Sequence, residues 1–375
     1  MQKIFIIAGE ASGDDIGTEI IKAFKKKYPG VLIEGIGGPK MAEEGLVSLI
    51  PFHDLNIMGL TEVIPHIMTI KKHISSTATY ILKTKPDLVL TIDSPGFTKR
   101  VAKHLRKMHY LGQVIHCVAP TVWAWRPGRA KKMAELFDGL LCLFKFEPAY
   151  FETYGLKSYF IGHPLADKIK ALPSSIATDN TIALFPGSRR QEIQKLLPIF
   201  LKGLRNENHA KNVHIVTLPH LVKNIEAIVT KEQLPVKIIT DLAEKETLLQ
   251  HTKLVLAASG TVTLEMALRG IPTIVAYKVS WITYHLVKLL IKIPFVSLAN
   301  ILLGKEIFLE RLQHDCTPKI LKYDVMELLS NDQKYNFIQH ELKKIKPLVA
   351  CPEPGLTVCE YAVQLIMEKL DHDNF

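Results

Sequence analysis

What the sequence lacks narrows it first. Only five cysteines, Cys117, Cys142, Cys316, Cys351 and Cys359, are spread over 375 residues. Their number is odd and no two share a metal-knuckle spacing, which argues against a disulfide framework or a zinc module; reduced, mostly buried thiols are expected. Asp-x-Asp occurs only as Asp371-His372-Asp373 in the tail, so neither a metal nor another cofactor is expected. No lysine follows a glycine loop in the Walker pattern, which disfavours ATP hydrolysis. The longest apolar stretch, Tyr284 to Leu303, is broken by Lys288, Lys292 and Pro294, so a transmembrane helix is not expected. The opening run from Lys3 to Ala8 is too short for a signal-peptide core. Short repeats and low-complexity tracts are absent.

What is present is ample core material and a basic excess. Apolar residues make up 47% of the chain and charged residues 22%, enough for real cores and a soluble or membrane-surface protein. The length fits two domains. Lys and Arg outnumber Asp and Glu by 47 to 37, a net charge of +10. Such an excess suits an anionic partner: nucleic acid, a phosphorylated small molecule or an acidic membrane. A merely solvated basic face has the same composition. Nucleic acid is disfavoured, because neither a basic helix nor an aromatic RNA-binding motif appears.

The chain alternates apolar strands, glycine-rich turns and helices. Strands are expected at Lys3–Ala8, Val31–Ile36, Asp87–Ile92, Val114–Val118 and Leu140–Phe144. After a pause near 163–180 the pattern restarts at Thr181–Phe185, Val213–Leu218, Val236–Ile239, Lys253–Ala257 and Pro272–Tyr277. Near-continuous apolar strands with helices between them mean parallel sheets covered on both faces. The expected fold is therefore α/β, with two doubly wound Rossmann-like domains. The boundaries are 1–165 and 166–350, with a last amphipathic helix over 355–370 returning to the first domain or meeting a partner. Ligands of such folds bind outside the carboxyl ends of the strands, here expected in a cleft between the domains.

Five loops after strands carry candidate chemistry. Gly9-Glu10-Ala11-Ser12-Gly13-Asp14 lets a ligand approach the backbone, although a plain capped turn explains it equally well. Asp93, in Ile92-Asp93-Ser94-Pro95-Gly96-Phe97, ends an apolar strand and can accept a proton from an attacking hydroxyl, or merely cap the next helix. The segment 119–129 brings Trp123, Trp125, Arg126 and Arg129 into one loop. Tryptophan can stack on a sugar and arginine can hold a phosphate, while a buried tryptophan core competes with that reading. Gly187, Ser188 and Arg189 open a helix as a diphosphate clamp or a capping box, and both can hold at once. Ser259, Gly260 and Thr261 lead into another helix start suited to an anion. Glu265, one turn in, can accept hydrogen bonds from both hydroxyls of a ribose, or simply favour the helix dipole.

In order along the chain, these blocks with Gly162-His163-Pro164-Leu165, Ser297-Leu298-Ala299-Asn300 and Leu312-Gln313 resemble the lipid-A-disaccharide synthase family from residue 3 to about 313. The resemblance implies a GT-B fold and an inverting, metal-independent glycosyltransferase. It implies the substrates UDP-2,3-diacylglucosamine and 2,3-diacylglucosamine 1-phosphate, joined into a β-1,6 disaccharide 1-phosphate with release of UDP. By the same match Asp93 is the base, Arg189 touches the diphosphate and Asn300 the nucleotide. Glu10, Ser12, Gly13, Trp123 and Arg126 then stand on the acceptor side. Ser94, Gly96 and Ala299 depart from the family's usual Ala, Asp and Pro, and the missing second Asp removes a polar group near the base. The resemblance also implies a peripheral protein on the cytoplasmic face of the inner membrane, docked on anionic lipid, with a homodimer left open. The apolar segment Leu55–Lys83 with nearby lysines and arginines suits such docking, and an ordinary core helix equally well. Two other readings stay open here: another GT-B enzyme acting on UDP-N-acetylglucosamine, transferase or 2-epimerase, and an inactive sugar-nucleotide-binding or membrane-adaptor protein.

Overall fold

The computed structural model describes residues 3–55, 67–171, 181–205, 212–278 and 293–371. Parts of Leu55–Lys83 and Tyr284–Leu303, and the stretch Pro173–Asn180, lie outside the described residues. The chain forms two compact units, Met1–Asp167 with Val349–Phe375, and Lys168–Leu348.

Unit 1 holds β1 (Lys3–Ala8), β2 (Leu32–Ile36), β3 (Leu88–Ile92), β4 (Gln113–Cys117), β5 (Gly139–Cys142) and β6 (Lys157–Phe160). They form one parallel sheet in the order β2-β1-β3-β4-β5-β6. The isoleucines and phenylalanine of β1 are fully buried, as are the residues of β3, because helices cover both faces. The final helix, Val358–Asp371, belongs to this unit. It buries Val358, Ala362, Val363 and Ile366. Lys26 and Lys27, at the end of the helix Ala11–Lys27, reach its Glu360 (2.6 Å) and Gln364 (3.1 Å).

Unit 2 holds β7 (Thr181–Phe185), β8 (Val213–Val216), β9 (Lys237–Ile239), β10 (Thr252–Ala258), β11 (Thr273–Tyr277) and β12 (Leu309–Leu312). Their order is β12-β11-β10-β7-β8-β9, again parallel throughout. Both units are thus doubly wound. The winding reverses between β1 and β3 in unit 1, and between β7 and β10 in unit 2. At such a reversal the two following loops part in opposite directions and leave a crevice above the strand ends.

Two strands, β6 and β12, escape the sequence pattern. Both are four-residue edge strands. In β12, Leu309-Glu310-Arg311-Leu312, half the residues are charged, and they are anchored by local partners rather than by a core. Glu310 accepts the N–H groups of Val296 and Ser297, and Arg311 grips Asp324 through two nitrogens.

Among the described residues, no helix is long and apolar enough to cross a membrane. All five cysteines are free thiols, four of them buried.

Candidate active site

In unit 1 the reversal brings the first two motifs together. The helix after β1 starts at Ala11 with Glu10 at its N-cap and no side-chain cap. Ser12 Oγ donates to Asp93 Oδ2 at 2.9 Å. Gly9 is needed because a Cβ there would come within 2.8 Å of Ser94 Oγ, and Gly13 passes close to the Ile92 carbonyl. Asp14 lies inside, where its carboxylate accepts the N–H groups of Gly38, Lys40 and Met41. It therefore caps the neighbouring helix, Pro39–Glu43, rather than its own.

Asp93 and Ser94 both have left-handed backbones, φ 50° and 46°, and Val118, just past β4, stands at φ 79°. Such conformations cost about 1–3 kcal/mol each and persist where surrounding contacts impose them. Here the Asp93 N–H is held by the Cys117 carbonyl and that of Val118 by Leu141. The turn aims a half-buried carboxylate away from the apolar strand it follows.

The loop after β4 divides its two tryptophans. Trp123 is buried, with its indole N–H on Glu147 Oε1 at 3.3 Å and its ring edge-on to Phe146. Trp125 lies on the surface side, with the guanidinium carbons of Arg126 and Arg129 4.6 and 4.2 Å from its ring centroid. The buried-core reading holds for Trp123, while the ring of Trp125 is covered by the two arginines. Glu147 is a residue the sequence reading missed. Its other oxygen accepts the N–H groups of Leu143 and Phe144. Burial pushes its pKa up to about 7, against the hydrogen bonds from Phe144, Trp123 and Leu143. The available signal was a lone acid inside the apolar run from Gly139 to Phe151.

In unit 2 the reversal lies between two helix starts. Arg189 is the N-cap of the helix Arg190–Leu204, and Gly260 that of Thr261–Arg269. Neither helix is capped by a side chain. Four other helices of the unit are capped, by Asp241, Ser297, Thr317 and Asn331. A side-chain cap is worth about 1 kcal/mol, and the two helices at the crevice forgo it. Their first N–H groups remain for an anion. Gly187 has φ 115°, and a Cβ there would strike the Glu192 carboxylate. Glu192 in turn lies 3.2 Å from Arg189, whose side chain is 61% exposed. Ser188 is exposed beside it. Ser259 Oγ donates to the Val296 carbonyl at 2.9 Å, tying the second helix start to the loop before Leu298.

Glu265 is already engaged. Lys245 lies within 2.9 Å of both its oxygens, and Arg269 adds contacts of 3.1 and 3.3 Å. Its remaining lone pairs are what a ribose would have. Asn300 differs from the sequence expectation. It is fully buried, its amide nitrogen donates to Phe308 O and Glu310, and its oxygen accepts from Ile307 and Phe308. An amide offers two donors and two acceptor positions, so no direct bond to a nucleotide is left. Asn300 shapes the 304–310 loop.

A parallel, doubly wound six-stranded sheet in each of two units is the GT-B fold. Three solved structures share the fold. The S. aureus MnaA–UDP co-structure has a TM-score of 0.66 at 14% identity, covering 100% of this chain and 97% of that one. The UDP-GlcNAc 2-epimerase from Neisseria meningitidis bound to UDP-GlcNAc has 0.61 at 14%, covering 99% and 100%. Acinetobacter baumannii MurG has 0.58 at 13%, covering 98% and 100%. Sequence is more specific. The family model described as Lipid-A-disaccharide synthetase matches residues 4–350. The lipid-A-disaccharide synthase of Rhodospirillum centenum is 40% identical over 340 residues, 87% of this chain and 85% of its own. That of Rickettsia prowazekii is 40% identical over 374 residues, 93% and 94%. The chain belongs to the lipid-A-disaccharide synthetase family.

Proposed function

We propose that this protein is an inverting glycosyltransferase that joins UDP-2,3-diacylglucosamine to 2,3-diacylglucosamine 1-phosphate. The 6-hydroxyl oxygen of the acceptor attacks the anomeric carbon, the bond from that carbon to UDP breaks, and Asp93 takes the hydroxyl proton. The products are the β-1,6 disaccharide 1-phosphate and UDP. Unit 2 holds the nucleotide: the N–H groups after Gly187 and Gly260 and the Arg189 guanidinium meet the diphosphate and the charge that develops as it leaves. Glu265 meets the ribose. Unit 1 supplies the base, oriented by Ser12, with Glu10, Gly13 and Arg126 on the acceptor side; Trp123, buried against Phe146 and Glu147, belongs to the core instead. The observation that carries this reading is the Ser12–Asp93 hydrogen bond in a left-handed turn at a winding reversal.

The acyl chains of both substrates require a bilayer, so the protein works as a peripheral protein on the cytoplasmic face of the inner membrane. Exposed Met108 and Leu111 beside Lys103 and Lys107 support this. The test is purified protein with both substrates, followed by mass spectrometry. A disaccharide 1-phosphate with stoichiometric UDP is expected; UDP release with no disaccharide would overturn the reading.

A further inference from the structure

Four cations of unit 1 lie near one another, and among the described residues none of them is paired with a carboxylate. Lys99 lies on the helix Pro95–Lys107 after β3, while Arg126, Arg129 and Lys132 follow β4. Because β3 and β4 are parallel neighbours, both segments leave the same, carboxyl end of the sheet. Two guanidiniums rest on Trp125, and Arg126 has a left-handed backbone, φ 53°. Lys99 is half-buried; burial, then Arg129 and Lys132, hold its ammonium below the usual lysine range. Burial and Arg126 act likewise on Arg129. Among the described residues none of the four makes an ion pair. Some other basic groups of the unit are matched, Lys25 with Glu44, Lys26 with Glu360, Lys40 with Asp15 and Arg106 with Asp138. A merely solvated basic face would not crowd like charges around a half-buried lysine.

We propose that Lys99, Arg126, Arg129 and Lys132 form a binding site for a phosphate monoester, which, on the function proposed above, is the 1-phosphate of the acceptor. A monoester carries up to two negative charges on three terminal oxygens. Guanidinium forks pair with such oxygens two at a time, and ammonium groups add compact charge. Stacking on Trp125 holds both forks in place before the ligand arrives, which lowers the ordering cost of binding. The phosphates of a UDP-sugar are each bonded on two sides, so they offer fewer free oxygens to the same forks. The site therefore separates two substrates that carry the same acylated sugar.

The test compares the full chain with its Arg126→Gln, Arg129→Gln double variant. In transfer assays the unchanged protein should prefer the phosphorylated acceptor over the same sugar without phosphate by about 100-fold in kcat/KM, the range expected for charged hydrogen bonds. In the variant that preference should shrink to a few-fold, with the KM for the UDP-sugar unchanged. Lys99→Gln should give a smaller loss of the same kind. Tryptophan fluorescence, with Trp125→Phe as control, follows binding of the monosaccharide 1-phosphate and of inorganic phosphate without any turnover. Phosphate-dependent quenching that the double variant lacks would support the site even if no disaccharide formed. Sedimentation with phosphatidylglycerol vesicles should be equal for both proteins. Retention of the full phosphate preference by the variant, or a loss confined to vesicle binding, would overturn the proposal; the latter would assign these cations to a lipid surface.

Discussion

The winding reversals of the two units share one geometry and differ in charge. Between β1 and β3 the strand ends present Asp93, held by Ser12 in a strained turn. Between β7 and β10 they present two uncapped helix starts and Arg189. The parallel sheet supplies only a place where loops part; the loops set the sign. A carboxylate on one unit suits taking a proton, and N–H groups with a guanidinium on the other suit holding a diphosphate. The capped helices elsewhere in unit 2 sharpen the contrast, because there the same N–H groups are spent on stability.

The most direct way to break this comparison is Asp93→Asn. Turnover should fall about 1,000-fold, with UDP affinity, read by calorimetry, nearly unchanged. Equal loss of both would make Asp93 structural. Asn300→Ala should come next, now as a stability effect. It strands the N–H groups of Ile307 and Phe308 together with the Phe308 carbonyl, so unfolding should ease by about 3 kcal/mol, seen as a lower urea midpoint. An unchanged midpoint would mean the loop repacks. Arg189→Ala should weaken UDP binding about 10- to 100-fold and leave the residual rate of bound substrate less affected than Asp93→Asn does. If the affinity holds, the helix starts suffice alone. Ser12→Ala should lower turnover by about tenfold or less, roughly one hydrogen bond to a charged group, without touching UDP.

A pH series isolates unit 1. The pKa of Glu147 in the fold, about 7, lies above its ordinary value, so the fold favours the protonated form. That contribution is complete below the ordinary glutamate pKa and is lost as pH rises through about 7. Glu147→Gln, neutral at every pH, should flatten the decline in urea midpoint between pH 5 and 8. The two proteins showing equal slopes would remove Glu147 as the titrating group.

The central strands were legible because they are runs rich in Ile, Leu and Val bounded by polar, glycine or proline residues, and burial on both faces demands that composition. The edge strands were not, since β12 holds its place through the charged Glu310 and Arg311, whose partners Val296 and Asp324 flank the strand rather than line a core. The same limit governs the candidate site. That Asp93 ends an apolar strand can be read directly. That Ser12 meets it, 81 residues away, depends on β1 and β3 being neighbours, which periodicity does not encode. Glu147 escaped because an acid before Pro148 looks like any helix start until Trp123 is seen above it. For Asn300 the motif pointed to the nucleotide, but an amide so fully bonded within the fold shapes a loop.

The return of the last helix to unit 1 sets an order of assembly. Unit 2 is a continuous stretch, Lys168–Leu348, and unit 1 is interrupted by it. During synthesis the interrupted half must wait with an unclosed apolar face beside the helix Ala11–Lys27, while the later-made half can already condense. Chains stopped short of Val358 should therefore yield a finished unit 2 joined to a sticky, protease-sensitive unit 1.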